Sequence, residues 1–492
     1  MFQKRRTTPK TKILTKSLFI SGLRCLKKIW LEHQYPLDQE PFNLAQERII
    51  SQGIEVQNLA RRLFTNGFLI ENNELAAIEE TQKALDANID CLFESAFMFN
   101  GVLVRCDILQ KTSNGTWDLI EIKSSGGVKS EHFDDLAIQK YVLINCSLPI
   151  NQVKVMHINT EDCFFPHLEN LFVFEDVSDR VNSRLEDISY KIEDIKQILT
   201  QYLEPQVFIG KHCNHPHACN FKKSCWKDIP KASIFTIPRL SSNKIDELVQ
   251  SNIFDIEDIP IDFELTPKQQ NYVDLVLANH PDINSKEIQK VLSHLKYPLH
   301  FFDIETHNPA IPRFNGLKPY EQFIFQYSCH ILQKDGSVQH YEYLHTEYSD
   351  PRIYVIQSLI NHIQSTGTIV VYHKSFEGSI LTKLGNAFPE YESFLLSIVN
   401  RLWDLEEIFK KYYKHPYFYG QTSIKKVLPV LVPSLSYDIL DIKRGDEAQA
   451  MWDLMINTVD DSKKNKIIQN LKDYCQLDTL AMVKIYQALL KV

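Results

Sequence analysis

Leu299-His300-Phe301-Phe302-Asp303-Ile304-Glu305-Thr306 decides how the second half of the chain reads. An apolar and aromatic run leading into acid-x-acid predicts a buried strand that breaks off at two carboxylates. Strand side chains alternate with period two, so Asp303 and Glu305 lie on one face. Like charges held that close repel, and a hard divalent cation relieves the repulsion. Near the C-terminus the string YCQLDT supplies Tyr474 and Asp478. In a helix that spacing puts a phenol and a third carboxylate on one face. Together these parts suit metal-dependent hydrolysis of a phosphodiester.

The surrounding sequence extends the set. Glu377 follows the short strand TIVVYH and opens a helix, so it points toward the open end of a sheet. Asp404, in RLWDL, reads as a helix cap or a support. Asp303, Glu305, Glu377 and Asp478 would then hold Mg²⁺ or Mn²⁺ in a two-metal site, with cations about 4 Å apart, and Tyr474 would position the attacking water. The strings LHFFDIE, FIFQYSCHI and VQHYEYLHT predict antiparallel strands, and strand alternates with helix after them. That order predicts an α/β fold of the RNase H-like kind over residues 293–492.

A second constellation lies upstream. Asp107 ends the apolar strand VLVRCDIL, and Glu121 and Lys123 share one face of the next strand, IEIKSS. Asp followed by Glu-x-Lys is the pattern of the PD-(D/E)XK nuclease core. Asp107 and Glu121 would hold Mg²⁺ or Mn²⁺, and Lys123 would orient water or offset charge on phosphorus. Gln139 and Tyr141, on the following helix, read as substrate contacts or braces, with core packing the alternative for Tyr141.

Cys213, Cys219 and Cys225 stand in HCNHPHACNFKKSC, and Cys25 lies far upstream in SGLRCLKKIW. Three local thiols and a distant fourth would clamp the ends of a domain around a metal centre. Zinc more often shows C-x₂-C pairs. The wider spacing fits a [4Fe–4S] cluster, while His212, His215 and His217 keep Zn²⁺ open. Such a cluster would be structural.

At 492 residues the chain predicts two or three domains. The boundaries read as 1–232, a helical linker at 233–292 and 293–492. The linker is compared with a helix-hairpin-helix but lacks the Gly-rich turn. No run of about 18 apolar residues occurs, so no membrane span is expected. Residues 1–30 carry nine Lys or Arg and no Asp or Glu, a local basic patch in a chain of net charge −8. A nucleic-acid enzyme needs a basic groove rather than a basic total. The ten cysteines lack a secreted pattern, which predicts a reducing, cytoplasmic setting.

DIET, HKSFE and YCQLD resemble the three motifs of DnaQ-like DEDD exonucleases, of the subtype with Tyr in the third. Over nearly its whole length the chain resembles a bacterial family of uncharacterised RecB-like nucleases. These join a Cys-clustered RecB-type PD-(D/E)XK domain to a DnaQ-like domain. The stretches VRCDIL, EIKSS, FDDLAIQKYVL, GKHCNHPHACNF, FFDIETHNPAIPRFNGLKPY, FQYSCH and SIKKVLP carry the likeness. It implies one nuclease site at Asp107, Glu121 and Lys123, and an iron–sulfur cluster on Cys25, Cys213, Cys219 and Cys225. It implies an exonuclease site at Asp303, Glu305, Glu377 and Asp478. There are departures. Glu377 stands where Asp is typical, His373 where Asn is common, and Gln57 where RecB-type sites often offer His, which weakens metal binding in the first site or hands the role to Glu94 or water. The expected partner is nucleic acid, DNA ahead of RNA. An RNA 3′ exonuclease, or a nucleic-acid-binding scaffold with degenerate sites, are the alternatives.

Overall fold

The computed structural model describes residues 13–36 and 39–492. Most of the basic N-terminal patch (Lys4, Arg5, Arg6, Lys10 and Lys12) therefore lies outside the described residues, whereas Lys16 lies within them. The chain is mixed α/β and forms two compact units. No helix among the described residues is long and apolar enough to cross a membrane.

Among the described residues the first unit comprises 13–36, 39–42, 47–227 and 309–320. Its strands are β1 (Leu14–Thr15), β2 (Phe68–Leu69), β3 (Cys91–Phe99), β4 (Val102–Lys111), β5 (Trp117–Lys123), β6 (Ile150–Ile158) and β7 (Phe172–Asp176). Its helices are α1 (Lys16–Arg24), α2 (Leu26–Gln34), α3 (Leu44–Arg61), α4 (Glu74–Asp86), α5 (Ser130–Asn145), α6 (Ser178–Thr200) and the single turn α7 (Lys222–Cys225). Strands β2 to β7 lie in sequence order in one sheet, with β1 paired to β4. Asn100 and Gly101 both take positive φ at the β3–β4 hairpin, where a two-residue turn demands it. β5 and β6 are parallel, and α5 makes the crossover between them. Leu136, Ala137, Val142 and Leu143 of α5 pack on the sheet with Val104, Leu119 and Val153. β3 begins six residues before the expected Phe97, because CLFESA also has buried positions to pair with β4.

Residues 309–320 belong to this unit although they follow the strand that carries Asp303 and Glu305. Ala310 and Ile311 are buried with Val56, Ile120, Ile122 and Met156. Main-chain hydrogen bonds join Phe165 to Leu317 and Gly316, each 3.0 Å long.

The second unit comprises residues 43–46, 228–308 and 321–492. The helical stretch α8 (Ser242–Gln250), α9 (Pro267–Ala278) and α10 (Ser285–Ser293) falls in it, so the segment read as a linker is part of a folded unit. Ile234, Ile237, Leu248, Ile256, Tyr272 and Val273 give it a small apolar core of its own. A two-stranded ribbon pairs β8 (Asp282–Ile283) with a later strand. The central sheet contains β9 (Leu299–His307), β10 (Phe323–Leu332), β11 (Val338–Leu344), β12 (Thr368–Val371) and β13 (Leu402–Asp404); β14 (Tyr413–Lys414) completes the ribbon. The five-stranded order is β11-β10-β9-β12-β13, antiparallel across β11, β10 and β9 and parallel from β9 to β12 and β13. Around it run α11 (Arg352–His362), α12 (Lys374–Ala387), α13 (Glu392–Val399), α14 (Glu406–Lys411), α15 (Ile424–Leu431), α16 (Gly445–Asn457) and α17 (Asp461–Leu489). β9 does not break off at the acids as expected. It continues to His307, held on one side by β10.

Candidate active site

Alternation along β9 turns Asp303 and Glu305 to the same side, toward α17, as the sequence predicts. The β9–β10 register shifts between Ile324 and Gln326, opposite Glu305 and Thr306. Such a bulge re-aims side chains beside it. α17 is fixed to the sheet by Gln326, whose Nε2 donates to the Leu471 carbonyl (2.8 Å), and by a Ser328–Thr479 hydroxyl pair (2.7 Å). Asp478 thereby reaches the acids of β9. One ligand oxygen from each of Asp303, Glu305 and Asp478 lies within 4.8 Å of the others.

These carboxylates and Glu377 line one cavity of about 790 Å³, together with Tyr474, Lys425, Tyr372, His373, Gln322 and Glu406. Burial pushes all four carboxyls up, and for Asp303, Glu305 and Glu377 a neighbouring acid adds to it: Asp303 well above its ordinary range, Glu305 to about 8, Glu377 to about 8 and Asp478 to about 6. Asp478 is restrained by Tyr437, whose hydroxyl donates to its Oδ1 at 2.5 Å, and by the Lys425 ammonium. Glu377 is 2 % exposed, and its Oε2 has no hydrogen-bond partner among the described residues. A buried oxygen left without a donor is costly unless a ligand completes it.

Glu377 is presented by a strand-to-helix junction. His373 precedes α12 with φ of 95°, and Asp404 holds the turn. The Asp404 carboxylate accepts from the backbone N–H of His373, Lys374 and Glu406 at 3.0–3.1 Å. Asp404 is thus a support, one of its two expected roles. Tyr474 is buried, its hydroxyl accepts from Lys425 (3.2 Å), and the Lys425 ammonium also lies 5.2 Å from the Tyr437 and Tyr474 ring centres. Burial and the nearby carboxylates hold both phenols protonated, so they act as donors at neutral pH. All-oxygen donors, raised carboxyl pKa values and the orphaned Glu377 oxygen fit hard divalent cations.

In the first unit Asp107, Glu121 and Lys123 also meet, but their charges are already matched. Glu121 Oε1 takes the ammonium of Lys123 (2.7 Å) and of Lys16 (3.1 Å), and its Oε2 accepts from Gln139 (2.8 Å). Lys16 and Lys123 also clasp Asp135, at 3.3 and 2.6 Å. Gln57 bridges Glu94 (2.7 Å) and Asp107 (3.2 Å), and the other Asp107 oxygen accepts from the Ile122 N–H. Burial would raise Glu121, yet the ammoniums of Lys123 and Lys16 hold it far below its usual range. Burial and Glu121 push Asp107 up to about 7. Oxygens so occupied do not fit a resident divalent cation without displacing Lys16. Tyr141 packs edge-on to Phe99 (5.9 Å) against the apolar core, which is the core-packing alternative.

Cys25, Cys213, Cys219 and Cys225 line one small cavity with Arg24, Lys27, Lys28, Lys222 and His212. All ten cysteines are free, and no three thiols among the described residues lie within 4.8 Å of one another. His212 contacts Cys213 Sγ at 3.5 Å. His215 and His217 do not line this cavity.

Residues 300–423 match a family described as a domain of unknown function, DUF2779. That span holds Asp303, Glu305 and Glu377 and stops before Tyr474 and Asp478. The uncharacterized protein MG366 of Mycoplasma genitalium is 29 % identical over 207 residues, 38 % of this chain and 31 % of its own. Its Mycoplasma pneumoniae homolog is 27 % identical over 221 residues, 40 % of this chain and 33 % of its own. The uncharacterized protein UU173 of Ureaplasma parvum is 27 % identical over 249 residues, 46 % and 36 % of the two chains. The chain spans about a third of the length of these curated relatives.

Four contributors lie outside the residues singled out from the sequence. Lys16 is 105 residues from Glu121. Asp135 sits four residues before Gln139 on α5 and so shares its face, a spacing that does mark it. Lys425 lies within SIKKVLP, a stretch that carried the family likeness without a role. Tyr437, in a short 3₁₀ turn, has no local pattern to mark it.

Proposed function

We propose that the second unit is a metal-dependent nuclease that hydrolyses phosphodiester bonds of nucleic acid, DNA ahead of RNA, from a strand end. The observation that carries this reading is the buried trio Asp303, Glu305 and Asp478, with ligand oxygens within 4.8 Å and Glu377 beside it in the same cavity. Antiparallel strands followed by parallel strands and helices support an RNase H-like, DnaQ-like fold for this unit. Asp303, Glu305, Glu377 and Asp478 would hold the cations. Divalent cations there would supply Lewis-acid polarisation of a phosphate oxygen. The chain's own part is positional. Tyr474 presents a neutral phenol beside Asp478, where it can donate to water or phosphate. Lys425 places a positive charge at the rim of an otherwise acidic cavity, where charge accumulates on phosphorus. Tyr437 keeps Asp478 ionisable.

We assign the first unit a RecB-type PD-(D/E)XK architecture whose centre is not poised to cleave. The pairing of Lys16 with Glu121 and Asp135 favours this scaffold reading for that unit. For the four cysteines we propose a structural [4Fe–4S] cluster in preference to Zn²⁺. Tetrahedral zinc, with thiolates about 2.3 Å away, draws them to within about 3.8 Å of one another. The preference rests on the sequence, where five residues separate successive cysteines in place of C-x₂-C pairs. The rim of Arg24, Lys27, Lys28 and Lys222 would offset the thiolate charge.

The test uses 5′- and 3′-labelled DNA and RNA with Mg²⁺, Mn²⁺ or EDTA. Wild-type protein and Asp107→Asn should release mononucleotides with metal, and Asp303→Asn should not. Activity retained in Asp303→Asn but lost in Asp107→Asn would move the chemistry to the first unit. No hydrolysis under any metal would end the nuclease reading.

A further inference from the structure

An acidic cavity repels the polyanion it is meant to cut, so a strand must be held by charge elsewhere. Within the second unit a separate cavity of about 690 Å³ lies between α9 and the segment that includes α14 and β14. Arg239, Lys268, Lys410 and Lys414 line it, with the amides of Asn271 and Gln421. Lys410 is engaged by Glu406 (2.7 Å) and Glu407 (3.3 Å). Arg239, Lys268 and Lys414 are exposed and have no ion-pair partner among the described residues. Three cations at one cavity without counter-charge attract an anion.

The walls are built rather than incidental. Gly420, at φ 72°, passes so close to Thr236 that a Cβ would lie 2.2 Å from its carbonyl oxygen. Gln269 is buried and ties down the turn at Arg239, donating to the carbonyls of Pro238 and Arg239 at 3.3 and 3.1 Å. Arg239 itself takes φ of 55°. The Tyr272 hydroxyl donates to Thr236 (2.8 Å).

This cavity and the acidic one share a wall. Thr422 and Lys410 line the basic side, and Glu406 lines the acidic side. The Thr422 hydroxyl donates to Glu406 Oε1 and Lys410 to its Oε2, each at 2.7 Å. Tyr372, also on the acidic side, donates to the Thr422 carbonyl at 2.5 Å. A chain of phosphates leaving the acidic cavity over this wall would meet the three unpaired cations.

We propose that this basic cavity binds the sugar–phosphate backbone of the single strand whose end lies in the acidic cavity. The proposal rests on the nuclease reading for its direction, but binding is measured separately from cleavage. The experiment is fluorescence anisotropy of full-length protein with a labelled single-stranded DNA 12-mer in EDTA, across a salt series. The pair Lys268→Gln/Lys414→Gln should weaken binding about tenfold or more. The slope of log K against log salt should fall by about 1.4, at about 0.7 per phosphate contact on a single strand. The control pair Lys334→Gln/Lys463→Gln, exposed on other elements, should change neither. In a hydrolysis assay the site pair should raise KM while leaving kcat within about twofold. Unchanged affinity and slope in the site pair overturn the proposal, as does a mononucleotide competing as well as the strand. If no metal supports hydrolysis but the slope falls as stated, the binding site stands and the nuclease reading fails.

Discussion

Asp303→Asn separates repulsion from ligation at the carboxylate trio. Two ionised carboxylates 4.8 Å apart repel by about 3.5 kcal/mol at an effective dielectric of about 20. Asp303 faces two such neighbours and is buried, and at about 1.36 kcal/mol per pH unit these terms keep its proton on at neutral pH. Asparagine is close in shape to a protonated aspartate, so the metal-free variant should melt within about 0.5 kcal/mol of wild type at pH 7.5. Metal binding is different, because it requires the carboxylates. At a hundredfold excess over Kd, Mn²⁺ should stabilise wild type by about 2.7 kcal/mol. At about 2–4 °C per kcal/mol for a unit of this size, Tm should rise by about 5–11 °C. The variant should gain under about 2 °C. Thermal melts followed by circular dichroism, in EDTA and in Mn²⁺, read both quantities. The sign with pH follows from the raised carboxyls: the native state holds protons that the unfolded chain releases. Metal-free stability is therefore full below about pH 4 and erodes as pH climbs through about 6 and then 8, where Asp478, Glu305 and Glu377 ionise. The metal-induced gain grows over the same window. A variant that keeps the Mn²⁺ gain, or that is several degrees more stable without metal, would refute the reasoning.

Four further outcomes are expected. Lys16→Met leaves Glu121 and Asp135 with one ammonium instead of two, and should lower stability to urea by about 3 kcal/mol at pH 7, with part recovered at pH 5 as carboxyls protonate. In the same variant, isothermal titration calorimetry should detect Mn²⁺ binding at the first centre, kept distinct by an Asp303→Asn background. Tyr437→Phe removes a charge-assisted donor worth about 1.5–3 kcal/mol from Asp478, raising its pKa by about one unit or more, so the acid limb of Mn²⁺ affinity should move to higher pH by a similar amount. Cys213→Ser should bleach a brown, iron- and sulfide-containing protein and lower its melting temperature; a colourless wild type with one zinc per chain would instead support the zinc alternative.

What could be read from the sequence follows the range of the interactions. Asp303 and Glu305 are marked by alternation within one strand, and Tyr474 and Asp478 by a helical spacing of four. Glu121 and Lys123 are two apart on β5. Each is local, so the residue pattern alone carries it. Lys16 and Tyr437 reach their partners across more than 40 residues of chain, and nothing in their neighbourhood marks the encounter. β9 runs past the expected end because His307, polar by type, is fully buried and hydrogen-bonded to Asp453 (2.7 Å). Glu377 was readable as a candidate, but its orphaned oxygen was not, since hydrogen-bond satisfaction is a property of the folded surroundings.

Residues 309–320 have a practical consequence for anyone dividing this protein. They follow the strand of one unit that carries Asp303 and Glu305 and complete the apolar interior of the other. A polypeptide cut at residue 228 would present Ala310 and Ile311 to water, and its complement would lack part of its own filling. Each half is therefore expected to aggregate alone, and to regain solubility when both are produced together.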